Sequence, residues 1–163
     1  LHDIADWKFH DGDTEIGPRR TTEWLTKLGV EQPIVERVAY IVRHISYRGG
    51  TNQHVMETLE GKIVQDADRL DALGAIGIAR TFAFGGAHGR SMYEPDQGPQ
   101  SFDSFQEFKK NMKTGTTINH FYEKLLLLKD GMHTDTAKQI ARARHAYMET
   151  FLDEFYAEWD GKR

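Results

Sequence analysis

Three carboxylates, Asp66, Asp68 and Asp71, sit inside an otherwise apolar stretch, Lys62-Ile-Val-Gln-Asp-Ala-Asp-Arg-Leu-Asp-Ala-Leu-Gly74. A carboxylate in such surroundings is costly to desolvate unless it is paired or bound to a metal. A second stretch, Leu1-His-Asp-Ile-Ala-Asp-Trp-Lys8, carries His2 beside Asp3 within an apolar run. Together the two suggest a metal site assembled from two helices far apart in sequence. On a helix Asp68 and Asp71 share a face, whereas Asp66 lies about 200° from Asp68. All three therefore cannot ligate one ion. The plainer readings are capping and salt bridges to Arg69 and Lys62 for the acids, and a satisfied core histidine for His2. A second dipeptide of this kind, His10-Asp11, lies in a Gly-containing turn and reads as a solvated surface pair.

Composition narrows the chemistry. The chain has 163 residues, enough for one domain with its own core. It contains no cysteine, which removes disulfides and thiolate metal sites and leaves His, Asp and Glu as ligands. A net charge of −4 argues against a nucleic-acid partner. No run of about 18 apolar residues predicts a membrane span, and no signal peptide is visible, so a cytoplasmic protein is expected. The chain begins at Leu1 in the middle of an apolar pattern, and a preceding helical segment is expected.

The elements that would position these groups read as helix after helix. Leu1 to about Trp7 reads as the end of one. Pro18 leads Arg19–Leu28, with Gly29 beyond. Pro33–Ile45 places Ile34, Val38, Ile41, Val42 and Ile45 on one face. Tyr47–His54 is a loop, and a short helix is expected around Val55–Leu59. One long apolar helix is then predicted from about Lys62 to Phe84, stopping at Gly85-Gly86. In it Ile63, Val64, Ala67, Leu70, Leu73, Ile76 and Ile78 would bury most of the circumference. His88–Gln100 reads as a mobile polar loop, long enough to serve as a lid. Ser101–Met112 forms a short helix, and Thr116 or Thr117 caps the next, through Leu128. The last helix, about Thr134–Trp159, carries Ile140, Arg144, Tyr147, Met148, Phe151, Phe155 and Trp159 along one stripe. The fold class is all-α, a single-domain globular bundle of about six or seven helices.

Taken together, Leu-His-Asp-Ile at 1–4 and Ala-Asp-Arg-Leu at 67–70 resemble the HD-domain metal-dependent phosphohydrolases. The wording of residues 63–80 is similar to one bacterial branch, that of YedJ and YpgQ. The resemblance implies that His2 and Asp3 are the paired ligands and Asp68 the closing aspartate, with Asp66 as its competitor. The family's first ligand, a histidine on a preceding helix, has no counterpart from Leu1 onward. Asp6, three residues after Asp3, matches an acidic position that assists the attacking water in some HD hydrolases, and is the candidate general base; a surface carboxylate is the alternative. Lys8 fits the His-Asp-x-x-x-x-Lys pattern as a phosphate holder, and His44 a position used for a second metal or the phosphate. Arg43, Arg48 and Arg69 are further phosphate candidates.

Imidazole and carboxylate ligands suit Mn, Mg, Fe, Co or Ni. The expected activity is divalent-metal-dependent hydrolysis of a phosphorylated small molecule, a nucleotide first and nucleoside triphosphates in particular. A phosphodiesterase, or a hydrolase of another phosphorylated metabolite, is the runner-up. A non-catalytic nucleotide-binding regulatory module is the reading from another class. No membrane or nucleic-acid partner is expected, and the oligomeric state is open.

Overall fold

A run of helix-compatible sequence broken at glycines and prolines gives a chain of short helices. A computed structural model describes residues 1–50 and 55–163, leaving out the side chains of Lys8 and Lys113. Seven α-helices form among the described residues: α1 (Ile16–Lys27), α2 (Gln32–His44), α3 (Leu59–Asp71), α4 (Gly74–Ala87), α5 (Phe105–Thr114), α6 (Asn119–Glu123) and α7 (Asp135–Trp159). Two 3-10 segments, Trp7–Phe9 and Leu125–Gly131, complete the pattern. No strand occurs among the described residues, and no helix there is long and apolar enough to cross a membrane. The all-α expectation holds. The described residues form two compact units, Leu1–Ser46 with 55–61, and 47–50 with Lys62–Arg163.

In the first unit α1 packs on α2. Leu25, Val35, Ala39, Val42 and Ile45 are buried there. Leu1–Trp7 is not the helix end the sequence implied. It is turn and bend, closed by the Ile4 N–H donating to the Leu1 carbonyl at 2.9 Å. What allows this segment to lie on α1 is Gly17. A side chain there would meet the Ala5 carbonyl at 3.1 Å and Val42 at 3.2 Å. The short helix expected at Val55–Leu59 is likewise absent. Residues 55–58 lead into α3, and Thr58 Oγ1 accepts from the Gly61 N–H at 3.1 Å in the manner of a cap.

The second unit corrects the single long helix. The chain breaks between α3 and α4, where Gly74 adopts a φ of 76°. Gly74 also lies against Arg144 of α7, whose Cγ a side chain would meet at 3.1 Å. Arg144 in turn donates to the Leu70 carbonyl at 2.5 Å, satisfying an acceptor left open at the end of α3. Two amphipathic helices result instead of one helix buried all round; Ile63 and Ile76 are exposed. Gly85 and Gly86 fall inside α4.

The core of this unit gathers Leu73, Ile118, Phe121, Leu125, Leu128, Ala141, Met148 and Leu152. The inward stripe of α7 is Ala137, Ala141, His145, Met148 and Leu152. Ile140 and Tyr147, expected inside, are exposed. α4 meets α7 through Gly74 against Arg144 and through Phe82 against Phe151 and Phe155. The 88–100 segment is pinned rather than mobile. Thr117 and Ile118 donate backbone N–H groups to Ser91 and Met92 at 2.9 and 3.0 Å. Asn119 donates to the Gln97 carbonyl at 2.8 Å, and the Gln100 N–H donates to buried Glu123 at 3.1 Å. Tyr93 packs edge-on against Phe155 and Trp159.

Candidate metal and phosphate site

In the first unit the 1–4 turn places His2 and Asp3 at its two central positions, with His2 Nε2 3.1 Å from Asp3 Oδ2. At that distance the two side chains are within reach of a direct ion pair or hydrogen bond with each other. An imidazole nitrogen beside a carboxylate oxygen is also the donor set a divalent ion takes. Both residues line an open depression shared with Leu1, Ile4 and Trp24. Asp6 follows, half-buried, and its backbone carbonyl accepts from the Phe9 N–H and from the His10 ring at 3.1 and 2.9 Å. Since residues 2–5 are not helical, Asp6 does not lie one helical turn beyond Asp3, as the sequence implied.

At the end of α2, His44 stacks at a tilt on Tyr40, centroids 4.5 Å apart. The Arg43 guanidinium is engaged by Glu15 through Nε and Nη2, the latter at 2.7 Å. The Lys8 side chain lies outside the described residues.

In the second unit α3 separates its three carboxylates by environment. Asp66 is 3% exposed. Its Oδ1 accepts from the His133 N–H, and its Oδ2 from both the N–H and the hydroxyl of Thr134, each at 2.8 Å. Burial alone would push this carboxyl up. The bonds from His133 and Thr134 outweigh it and hold the group below its ordinary value. Both oxygens are therefore engaged at the N-terminus of α7, where the helix dipole also favours an anion. Asp68, on the other side of the helix, is half-buried. Asp71 is exposed and pairs with Arg80.

Arg69 donates to the Gly131 carbonyl, and its Nε is buried without a hydrogen-bond partner among the described residues. Burial lowers its pKa, while Asp66 and Asp68 oppose that shift. The Arg48 guanidinium lies over the Phe105 ring at 5.4 Å. The structure thus brings His2 and Asp3 together in one unit, and Asp66, Asp68 and Arg69 in the other. Among the described residues no three His, Asp or Glu side chains converge as a ready-made metal cluster. Sequence reasoning missed Thr134 and His133 as the partners of Asp66. A Thr immediately before a long helix is a cap signal, but nothing local shows that an acid 68 residues upstream completes it.

No family model matches the chain. YpgQ of Bacillus subtilis is 36% identical over 162 residues, which cover 99% of this chain and 70% of YpgQ. The crystal structure of an HD-superfamily hydrolase from Bacillus thuringiensis is 45% identical, with a TM-score of 0.66 over 98% of this chain and 70% of that one. The chain belongs to the HD superfamily, in the branch of YpgQ. A further neighbour in structure, a protein from Lactobacillus plantarum, has 41% identity and a TM-score of 0.77, covering 84% of this chain and 66% of its own. YpgQ has also been solved in complex with ADP; that structure matches at 34% identity and a TM-score of 0.67. The present chain spans between 66% and 71% of the length of these relatives.

Proposed function

We propose that this chain carries the site of a divalent-metal-dependent hydrolase acting on nucleotide phosphoanhydrides, nucleoside triphosphates first. The observation that carries the reading is the 36% identity to YpgQ across 99% of the chain, since YpgQ binds ADP in one of its crystal structures. The juxtaposition of an imidazole and a carboxylate at His2 and Asp3, the donor types a divalent ion takes, supports it from the residues themselves. In this reading His2, Asp3 and Asp68 hold the ion; Asp66 has both oxygens occupied and is set aside. When bound, such an ion polarises a phosphoryl group and offsets the charge that develops on it.

The other tasks fall to the chain's own side chains. Asp6 is the candidate to take the proton of the attacking water on the family resemblance alone, since the non-helical 2–5 segment does not give it the one-turn offset from Asp3. Lys8, His44 and Arg48 balance phosphate charge, Lys8 and Arg48 as permanent cations. Arg43 and Arg69 are further candidates for the same task, each now engaged, by Glu15 and by the Gly131 carbonyl respectively. The test is release of phosphate and pyrophosphate from a nucleotide panel with Mn²⁺ and then with EDTA. Turnover that EDTA abolishes is expected, and the released group identifies the phosphorus attacked. Metal binding without turnover on any nucleotide would replace the nucleotide with another phosphoester. Neither binding nor turnover would leave a non-catalytic module.

A further inference from the structure

The outer side of α7 carries a charge pattern that its own fold does not use. Two cations come first, Lys138 and Arg142, and two acids last, Glu149 and Asp153; all four are exposed. With 3.6 residues per turn they fall within about 60° of one another, so they form one stripe. Their order is the reverse of the one the helix dipole favours. Partners within the chain are few and weak. Lys138 reaches exposed Asp135 at 3.4 Å, and exposed Glu149 lies 3.3 Å from His145 Nε2. Arg142 and Asp153 form no ion pair among the described residues.

The spacing of the four charges is self-complementary. Lys138 with Asp153, and Arg142 with Glu149, share one midpoint, between His145 and Ala146. An antiparallel copy of α7, related by a two-fold axis through that midpoint, sets Lys138 against the partner's Asp153 and Arg142 against the partner's Glu149. The symmetry makes each pair twice. A parallel copy would instead oppose like charges. Beside the stripe, exposed Gln139, Ala143, Ala146 and Thr150 recur at steps of four, three and four residues, the spacing of a helix-pair seam. The two alanines at its middle let the axes approach to about 8 Å.

We infer that α7 is the two-fold interface of a homodimer, a second copy of this chain lying antiparallel on it in the register that the four charges set. A single helix pair is a small interface, so the dimer dissociates on dilution, and its exposed ion pairs make it weaker in high salt.

Sedimentation equilibrium of wild type, Arg142→Glu, Glu149→Arg and the double variant tests the register, with thermal melting as the folding control. Wild type shows a concentration-dependent dimer. Each single variant raises its Kd roughly tenfold or more, and the double variant restores it because the swapped charges pair again across the axis. The chain has no cysteine, so an introduced one reports the geometry directly. Ala146→Cys, next to the axis, forms an intermolecular disulfide under mild oxidation, whereas Gln139→Cys, about 20 Å from its copy in this register, does not. A wild type that stays monomeric at all concentrations overturns the inference. So does a dimer indifferent to the single charge reversals, or one that Gln139→Cys links as readily as Ala146→Cys.

Discussion

Asp66 and Thr134 are joined twice, since the backbone N–H and the hydroxyl of Thr134 both donate to the same carboxylate oxygen at 2.8 Å. The same hydroxyl accepts from the Ala137 N–H at 3.2 Å, so the acid completes the cap of α7. Asp66→Ala removes that acceptor and leaves buried donors unpaired. The expected loss is about 2–4 kcal/mol by urea unfolding. If the cap is its whole role, Asp66→Asn changes Mn²⁺ affinity little, whereas Asp68→Asn loses roughly tenfold or more. Calorimetric titration with Mn²⁺ separates the two, and a reversed order would move the ligand assignment to Asp66.

His2 and Asp3 lie in a partly exposed turn, with side chains 36% and 77% accessible. Replacing either removes little packing. His2→Ala and Asp3→Ala should keep helical circular dichroism and melting temperature near wild type while hydrolysis falls by about 10³-fold or more. Near-normal turnover in either variant would remove the pair from the site.

The fold class was legible because helix signals are local. Thr134 and Pro33 mark helix starts from their own chemistry, and both fall in the first turns or caps where they were expected. The break at Gly74 was not legible, because apolar periodicity runs through it. The left-handed φ of 76° at Gly74, together with Arg144 packed against it from 70 residues away, is what calls for a glycine there. The pinning of 88–100 was hidden for the same reason. Its composition is that of a loose loop, but Asn119 and Glu123 supply partners from a distant helix. At the candidate site, spacing and resemblance put forward His2, Asp3 and Asp68, while the capping role of Asp66 depends on Thr134, 68 residues away.

Glu123 offers a pH test of that pinning. It is 4% exposed and accepts from Gln100 and, at 2.7 Å, from Asn111. Burial raises its pKa; the bonds from Gln100 and Asn111 and the charge of Arg90 oppose the shift without cancelling it. The folded value therefore lies above the unfolded one. Its contribution to stability is complete below the unfolded value and is lost as pH rises through the folded value. Glu123→Gln does not titrate. The stability of wild type relative to Glu123→Gln should therefore fall as pH is raised from about 4.5 toward neutrality. Urea unfolding of both proteins across that range measures it. A difference that grows with pH would place the folded value below the ordinary one.

Thr21 on α1 is fully buried, and its hydroxyl has no hydrogen-bond partner among the described residues. Its neighbour Thr22 does bond back, to the Pro18 carbonyl at 3.0 Å, so the helix supports such a bond but Thr21 does not make it. A buried hydroxyl without a partner costs about 1–3 kcal/mol relative to an apolar group of the same shape. Valine has that shape and the same β-branching, so the helix and the packing are unchanged. Thr21→Val should therefore raise stability by about 1 kcal/mol or more, while Thr21→Ala, which leaves a void, should not. Thermal and urea unfolding of the pair decide it. If Thr21→Val is instead less stable than wild type, the hydroxyl is satisfied in solution, with a buried water as the natural partner.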